Sequence, residues 1–201
     1  MTASQRIVLG LIVGFALRLG YAWHADKGGT IHSSNDHYET IALSLIERGE
    51  YAITPGIPTG WREPTHPLFI AGVYALAGGR HTMALLTLHC ILSTATAWLI
   101  LLIGRKLFTP NVAEAAFWGY LFYPAAVYYC GYFFRETLMS FLFTAFVYTS
   151  LFWPAAENHP KASFWALVSG LLAAAWALAN SPNIPVAALA GIGLWFTAPP
   201  T

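Results

Sequence analysis

Long runs of apolar residues alternate with short polar stretches along most of this chain. Six runs approach the roughly 20 residues that a helix needs to cross a bilayer. They cover about 7–23, 83–103, 112–132, 136–153, 164–179 and, more briefly, 184–196. The pattern therefore predicts an all-α integral membrane protein of about six transmembrane helices, forming a single membrane domain over 1–201.

One long polar region, 25–82, interrupts this pattern between the first two runs. Apolar residues recur in it at helical spacing at Tyr38, Ile41, Ala42 and Leu45. The spacing predicts an amphipathic helix over 36–48 that suits a membrane surface. Ser34 or Asn35 would cap its start and Gly49 would end it.

The rest of the polar region contains a turn-rich segment and a short apolar one. Residues 51–65 include three prolines and two glycines, which is typical of an ordered turn or a flexible loop. Residues 67–79 are too few to cross a bilayer, so we expect an interfacial helix on the outer face. If 67–79 were instead a span, every later segment would change sides.

Basic residues orient the predicted spans, because they are enriched in cytoplasmic loops. The orienting residues are Arg6, Arg105, Lys106 and Lys161. Their positions agree only if the region 25–82 is not itself crossed by a span. The N-terminus is then cytoplasmic, and 25–82, 134–136 and 180–183 share the opposite face.

The composition supports a membrane protein and excludes several other classes. Hydrophobic residues make up 57% of the 201 positions and charged residues 9%, against about a quarter in soluble domains. A net charge of +1 gives no bulk attraction to nucleic acid, and no glycine-rich phosphate loop occurs. Cys90 and Cys130 lie in apolar runs and are interpreted as buried free thiols. The run after Arg6 resembles a signal peptide, but Trp23 and His24 fit a cleavage site poorly, which favours a retained span.

Five ionisable residues of the predicted outer face are candidates for chemistry. They are Asp36, Arg62, Glu63, Arg135 and Glu136. Each has a purely structural interpretation, as a helix-start carboxylate, a surface ion pair or a salt bridge at a helix start. Taken together, the carboxylates can act as general bases or bind a divalent cation, and the arginines suit a phosphate. This combination beside an apolar surface favours a lipid-linked phosphate or pyrophosphate as ligand.

Histidines are frequent in the outer region. They are His24, His32, His37, His66 and His81. Some of them could form a zinc site with Asp36 or Glu63, but no tight metal-ligand spacing supports one. His89, in the second run, is either a haem or chlorophyll ligand or a packing histidine, which is the commoner role. Arg18, in the first run, would meet a lipid phosphate or extend toward the membrane surface.

Four segments occur in an order that resembles a known family. They read "NDHYETIALSLIERGEYAI", "REPTHPLFIAGVYALAGG", "GRKLF" and "YPAAVYYCGYFFRETLMSFLF". Their order and spacing resemble the N-terminal half of GT-C membrane glycosyltransferases. The most similar group is the dolichyl-phosphate-mannose–protein mannosyltransferase-like group, which includes bacterial aminoarabinose transferases of lipid A. The resemblance covers about 6–185 and extends only to the N-terminal module of that family.

The resemblance implies transfer of a sugar from a polyprenyl-phosphate carrier to a lipid, protein or glycan acceptor, at the outer face of the bacterial inner membrane. Asp36 and Glu136 would be the acidic catalytic residues, with Asp36 activating or positioning the acceptor hydroxyl. Arg62, together with Arg135, would hold the donor phosphate. A divalent cation takes part in some members, and Glu63 would then be a ligand. Further residues of such a site would be His37, His66 and Asn180.

Two features depart from that family. Where its members commonly carry a Leu-Thr-Arg-Pro element, this chain reads "LANSPN", with Asn180 and Ser181 in place of arginine. Members also run to several hundred residues, so the resemblance implies a fragment, a half that needs a partner membrane protein, or a shortened homologue without activity. The alternative function is a non-catalytic membrane subunit that packs within a larger complex. A channel or transporter is disfavoured, because the spans lack paired intramembrane charges.

Overall fold

The computed structural model describes residues 2–28, 36–151 and 162–197. This part of the protein is mostly helical, which confirms the predicted all-α class apart from one short hairpin. The helices are α1 (Ala3–Lys27), α2 (Tyr38–Arg48), α3 (Thr65–Leu76), α4 (Thr82–Leu107), α5 (Pro110–Leu121), α6 (Pro124–Tyr128), α7 (Glu136–Ser150), α8 (Ala162–Ala177) and α9 (Ile184–Thr197). The hairpin pairs β1 (Ala52–Thr54) with β2 (Ile57–Pro58), and 3-10 turns cover Tyr129–Gly131 and Ser181–Asn183.

Two of these helices, α1 and α4, are long and apolar enough to cross a membrane. They have 25 and 26 residues, and their most apolar windows have mean hydropathies of 1.5 and 2.0. At about 1.5 Å per residue, each exceeds the ~30 Å hydrocarbon core of a bilayer. A core helix of a water-soluble protein can pass the same test, but α1 also exposes Val8, Ile12 and Leu17. The runs 7–23 and 83–103 are therefore confirmed as helices with wider bounds.

The predicted third span, 112–132, does not form one continuous helix. The first part, α5, ends at Leu121, and α6 begins at Pro124. Proline has no N–H to donate, and it restricts the residue before it to extended backbone. Tyr123 has that conformation, with φ −66° and ψ 117°. Hydropathy does not reveal this interruption, because an apolar run reports burial and not the continuity of backbone hydrogen bonds.

The helices α7, α8 and α9 correspond to the next three apolar runs. Their bounds differ by a few residues from the predicted 136–153, 164–179 and 184–196. Residues 152–161 lie outside the described part of the chain, and so does Lys161, one of the basic residues that oriented the spans.

The polar region between α1 and α4 contains the two expected helices. Its first helix starts at Tyr38, two residues later than predicted, because His37 has a left-handed backbone conformation with φ 57°. Ser34 and Asn35, the expected caps, lie outside the described residues. Gly49 ends α2 with φ 69°, as predicted, since glycine has no Cβ to oppose a left-handed conformation.

These two helices pack on each other and close against the start of α4. Ala42 of α2 and Ile70 of α3 are fully buried in one hydrophobic cluster. The carboxylate of Glu39 accepts a hydrogen bond from the Tyr74 hydroxyl (2.6 Å) and two from the Arg80 guanidinium (2.8 and 2.9 Å). A bidentate contact of this kind fixes α2 relative to the α3–α4 connection.

Small residues let the long helices approach closely. A Cβ atom added at Gly14 of α1 would come within 2.3 Å of Leu121, and one at Gly104 of α4 would come within 2.8 Å of the backbone of Ala113. Neither helix has room for a side chain at these points. The helix α5 is thereby held against both α1 and α4.

Arg18 is fully buried beside this contact, and both sequence-based interpretations of it are wrong. Its guanidinium donates to the Ser93 hydroxyl (2.9 Å) and to the carbonyl oxygens of Gly14 (3.0 Å), Leu121 (2.8 Å) and Tyr120 (3.3 Å). The last carbonyls of a helix have no intrahelical partner, and cations suit that end of the helix dipole. Arg18 therefore caps the C-terminus of α5 at the point where the predicted third span is interrupted.

Candidate functional site

Asp36 and Arg62, both predicted as site residues, form an ion pair. The Arg62 side chain donates from Nη2 to the Asp36 carboxylate (2.5 Å) and from Nε to the Asp36 main-chain carbonyl (2.8 Å). Arg62 itself is positioned by the Tyr51 hydroxyl, which donates to its carbonyl oxygen (2.9 Å). The segment after the hairpin is in this way fixed to the turn that precedes α2.

Glu63 and Arg135 form a second ion pair next to the first. Nη1 of Arg135 donates to one Glu63 oxygen (2.8 Å) and to the Ala179 carbonyl (3.4 Å). The other Glu63 oxygen accepts from the main-chain N–H of Ser181 (3.1 Å) and from its hydroxyl (3.0 Å). The turn that contains Asn180 and Ser181 therefore contacts the site through the hydroxyl and the main-chain N–H of Ser181.

Tyr38, which the sequence showed only as part of an apolar stripe, lies beside both ion pairs. The Arg62 guanidinium stands 5.3 Å from the centre of its ring. Burial raises the pKa of the Tyr38 hydroxyl, while the charges of Arg135 and Arg62 act in the opposite direction. Burial also raises the pKa of Tyr51 to about 12, with the charge of Glu63 adding to the effect. Both phenols are therefore neutral and can donate hydrogen bonds at neutral pH.

Each arginine keeps hydrogen-bond donors that are not used within the described part of the chain. These donors are Nη1 of Arg62 and the Nε and Nη2 groups of Arg135. Both side chains are about one-fifth exposed, at 22%. Asp36, 34% exposed, has one carboxylate oxygen without a hydrogen-bond partner among the same residues. The surface can thus bind an anion through N–H groups and accept a proton at an adjacent carboxylate.

His66 is a buried residue that contacts Tyr38 of this surface. It is fully buried, and its Nε2 lies 3.0 Å from the Phe133 carbonyl oxygen, to which it donates as a neutral ring. Its ring meets the edge of Tyr38 at 4.9 Å between centroids. Desolvation, with the charge of Arg135 nearby, lowers the pKa of His66 to about 3. His66 therefore positions Tyr38 and the start of α7 and does not face the outer surface.

The other predicted histidines have varied placements. His37 occupies the N-cap position of α2 and is partly exposed. His89 is fully buried and its ring packs against those of Phe69 (5.8 Å) and His66 (5.8 Å), which favours a packing role. His32 lies outside the described residues.

A metal ion does not fit the predicted ligand Glu63. Both of its oxygens already accept hydrogen bonds from Arg135 and Ser181, and the arginine supplies the positive charge that a cation would bring. Within 2–28, 36–151 and 162–197, no group of three or more His, Cys, Asp or Glu side chains is placed to hold a metal ion.

Glu136 takes a different direction from its neighbour Arg135. It is the first residue of α7, and its side chain lines a cavity with Ser93 of α4 and Tyr120 of α5. The structure thus brings four of the five candidate ionisable residues to one surface and directs the fifth elsewhere.

The Glu63 contact should make the stability of the protein depend on pH. Desolvation acts to raise the pKa of Glu63, but hydrogen bonds from Ser181 and the charge of Arg135 outweigh it and hold this pKa below its usual 4.5. A lowered carboxylate pKa stabilises the fold above about pH 4.5, and that stability is lost as the pH falls through the folded-state value. As the pH is lowered below 4.5, we expect the melting temperature of the purified protein to fall more steeply than that of the Glu63→Gln variant. Parallel curves for the two proteins would contradict the assignment, and Glu47→Gln, an exposed residue, is the control.

No protein-family model, curated protein or solved structure matches this chain. What the site can do is therefore decided by its side chains and their geometry. Two arginines with unused donors, two carboxylates and two neutral phenols meet on one partly exposed surface.

Proposed function

We propose that this chain is a multi-spanning bacterial inner-membrane protein whose outer face transfers a sugar from a polyprenyl-phosphate donor to a lipid, protein or glycan acceptor. The observation that carries the proposal is the pair of arginines, Arg62 and Arg135, each held by a carboxylate while keeping N–H donors that no described residue uses. Phosphate binding by arginine and a carboxylate base at one surface are what such a transfer needs. The order of sequence motifs that resembles GT-C glycosyltransferases supports the same function.

The proposed topology has about six crossings, with α2, α3 and the hairpin on the outer face. Contacts between helix ends support it. Arg6 at the start of α1 lies 3.6 Å from Glu114 near the start of α5, and Lys106 at the end of α4 contacts the Leu151 carbonyl after α7. These ends carry Arg6, Arg105 and Lys106, which suit the cytoplasmic side. Of the site residues, Arg135 lies at the opposite end of α7 from Leu151.

The proposed reaction follows from the placement of the charges. The free donors of Arg62 and Arg135 bind the donor phosphate and stabilise the negative charge that develops on it as the bond from the sugar C1 to the phosphate oxygen breaks. Asp36 accepts the proton of the acceptor hydroxyl while that oxygen forms its bond to C1. The products are the glycosylated acceptor and the polyprenyl phosphate. Glu63 keeps Arg135 in position throughout.

Transfer activity tests this proposal. We expect the protein in lipid nanodiscs to move label from polyprenyl-phosphate monosaccharides, radiolabelled in the sugar, to a membrane lipid extract. Asp36→Asn should lower the rate at least ~100-fold, since it removes the proton acceptor. Asp26→Asn is the matched control, because Asp26 takes no part in either ion pair. A wild-type protein without donor-dependent transfer, or an Asp36→Asn variant with normal rates, would refute the proposal.

A second function is favoured by the ion pairing itself. Each arginine already has a carboxylate partner, so both pairs also work as structural links. In a non-catalytic subunit of a membrane complex they would fix the outer surface against a partner protein. Exchanging the charges, as Asp36→Arg together with Arg62→Asp, separates the two functions. If the protein is a structural subunit, the exchanged pair should preserve assembly of the complex. If it is an enzyme, the exchange should abolish sugar transfer.

A further inference from the structure

A cavity of about 170 Å³ lies between α4, α5, α6 and α7, apart from the two ion pairs. Its lining contains the polar residues Ser93, Glu136, Thr137 and Ser140, together with tyrosines and alanines. A volume of this size holds several water molecules or one small ring. Tyr123, on the wall, is 56% exposed, so the cavity reaches the surface of the protein.

Two polar atoms of this cavity lack hydrogen-bond partners in the part of the chain that the structure describes. One is Oε2 of Glu136 and the other is the hydroxyl of Thr137. Thr137 as a residue is only 4% exposed. Buried polar atoms are nearly always paired, and a buried carboxylate oxygen is among the most costly to leave unpaired. A molecule that donates a hydrogen bond to Glu136 and exchanges one with Thr137 would satisfy both.

The charges around the cavity restrict what that molecule can be. Arg18 lies behind the wall, bonded to the Ser93 hydroxyl and the Tyr120 carbonyl, and has no carboxylate within 4.0 Å among the described residues. Arg18 does not line the cavity itself, but its positive charge lies close behind Ser93 and Tyr120, while the negative charge of Glu136 lies on the lining. An anion would be opposed by Glu136 and a cation by Arg18. A neutral molecule with several hydroxyl groups is compatible with both.

The aromatic wall adds a second requirement. Tyr120, Tyr123 and Tyr129 border the cavity. The faces of aromatic rings carry partial negative charge and attract the weakly positive C–H groups of a saturated ring. Carboxylate, hydroxyls and aromatic faces together are complementary to a pyranose, which presents hydroxyls at its edge and C–H groups on its faces.

We infer that this cavity binds the ring of a neutral monosaccharide, with Glu136 and Thr137 holding two of its hydroxyls and the tyrosines covering one face. The inference rests on the proposed function, since it assigns the place where the transferred sugar is held while the arginines hold the phosphate. Arg135 and Glu136 are consecutive residues, so the cavity adjoins the chain segment that carries one of the two arginines.

Binding of free glycosides tests the inference separately from transfer. The probes are methyl glycosides of hexoses, measured by saturation-transfer NMR on the full chain in nanodiscs, with millimolar affinity expected for so small a ligand. Glu136→Gln, which keeps the shape of the side chain, and Ser140→Leu, which fills the cavity, should each weaken binding at least 10-fold. Glu114→Gln, a carboxylate outside the cavity, should leave binding unchanged. Thermal melting of each variant shows that it is folded.

Several outcomes would overturn the inference. They are the absence of glycoside binding, unchanged binding in both cavity variants, and Glu136-dependent binding of ethanolamine in preference to glycosides. Glycoside binding that is lost in both variants supports the cavity assignment even if no donor transfer is found. Transfer without glycoside binding would keep the proposed function and remove this assignment.

Discussion

Replacing Arg18 by methionine is expected to lower the free energy of unfolding by about 3 kcal/mol. The substitution removes four hydrogen bonds from a charged donor, each of which can contribute about 1.5–3 kcal/mol, and desolvation of the buried guanidinium offsets much of that gain. It also leaves the Leu121 carbonyl, at the end of α5, without its partner. The junction between α5 and α6 should therefore loosen first.

Reversible unfolding in mixed detergent micelles measures this change. Arg6→Met is the matched control, since the exposed contact of Arg6 with Glu114 at 3.6 Å should contribute less than about 1 kcal/mol. Arg18→Lys should recover only part of the loss, because an ammonium group cannot present the planar arrangement of donors that reaches Ser93 and three carbonyls together. Equal losses for Arg18→Met and Arg6→Met would show that the guanidinium does not hold the end of α5.

His66 should make the protein lose stability through mildly acidic pH. Its folded-state pKa is lowered to about 3, first by desolvation and then by the nearby His89 and Arg135, against an ordinary 6.5. The unfolded chain therefore binds a proton below pH 6.5 that the folded protein excludes. Stability is fully present above pH 6.5 and falls by about 1.4 kcal/mol per pH unit as the pH decreases toward the folded value.

Comparison with His66→Gln isolates this effect from other titrating groups. Glutamine does not titrate, and its amide can still donate to the Phe133 carbonyl. Unfolding free energies measured at intervals between pH 7 and 4 should fall less steeply in the variant, with the difference in slope approaching the value given above. His37→Gln, at a partly exposed position, should leave the slope unchanged. Identical slopes for wild type and His66→Gln would mean that His66 is protonated in the folded protein.

Local features of the fold were accessible from the sequence where their cause is local. The two long apolar runs predict α1 and α4, and Gly49 predicts the end of α2, because burial preference and left-handed backbone depend on the residues themselves. The interruption at Pro124 had a visible local signal in the proline. The capping of the α5 C-terminus by Arg18 had no local signal, because Arg18 lies over 100 residues earlier in the chain.

The candidate site shows the same division. Asp36, Arg62, Glu63 and Arg135 were predicted from charge and sidedness, but their pairing was not. Tyr38 was missed as a member of the site, because helical spacing does not distinguish a residue of an apolar stripe from a ring that packs against the Arg62 guanidinium.

The sequence by itself predicted that the chain is helical, with about six apolar runs, and which charged residues could do chemistry; the structure shows that two of the runs form helices of membrane-crossing length. Only the tertiary structure decided that Arg62 meets Asp36, that Arg135 meets Glu63, and that Glu136 turns into a cavity. The physical reason is that successive residues at a helix start point about 100° apart, so neighbours in sequence contact different partners. Which partner each one finds depends on helices that the chain brings together from distant positions.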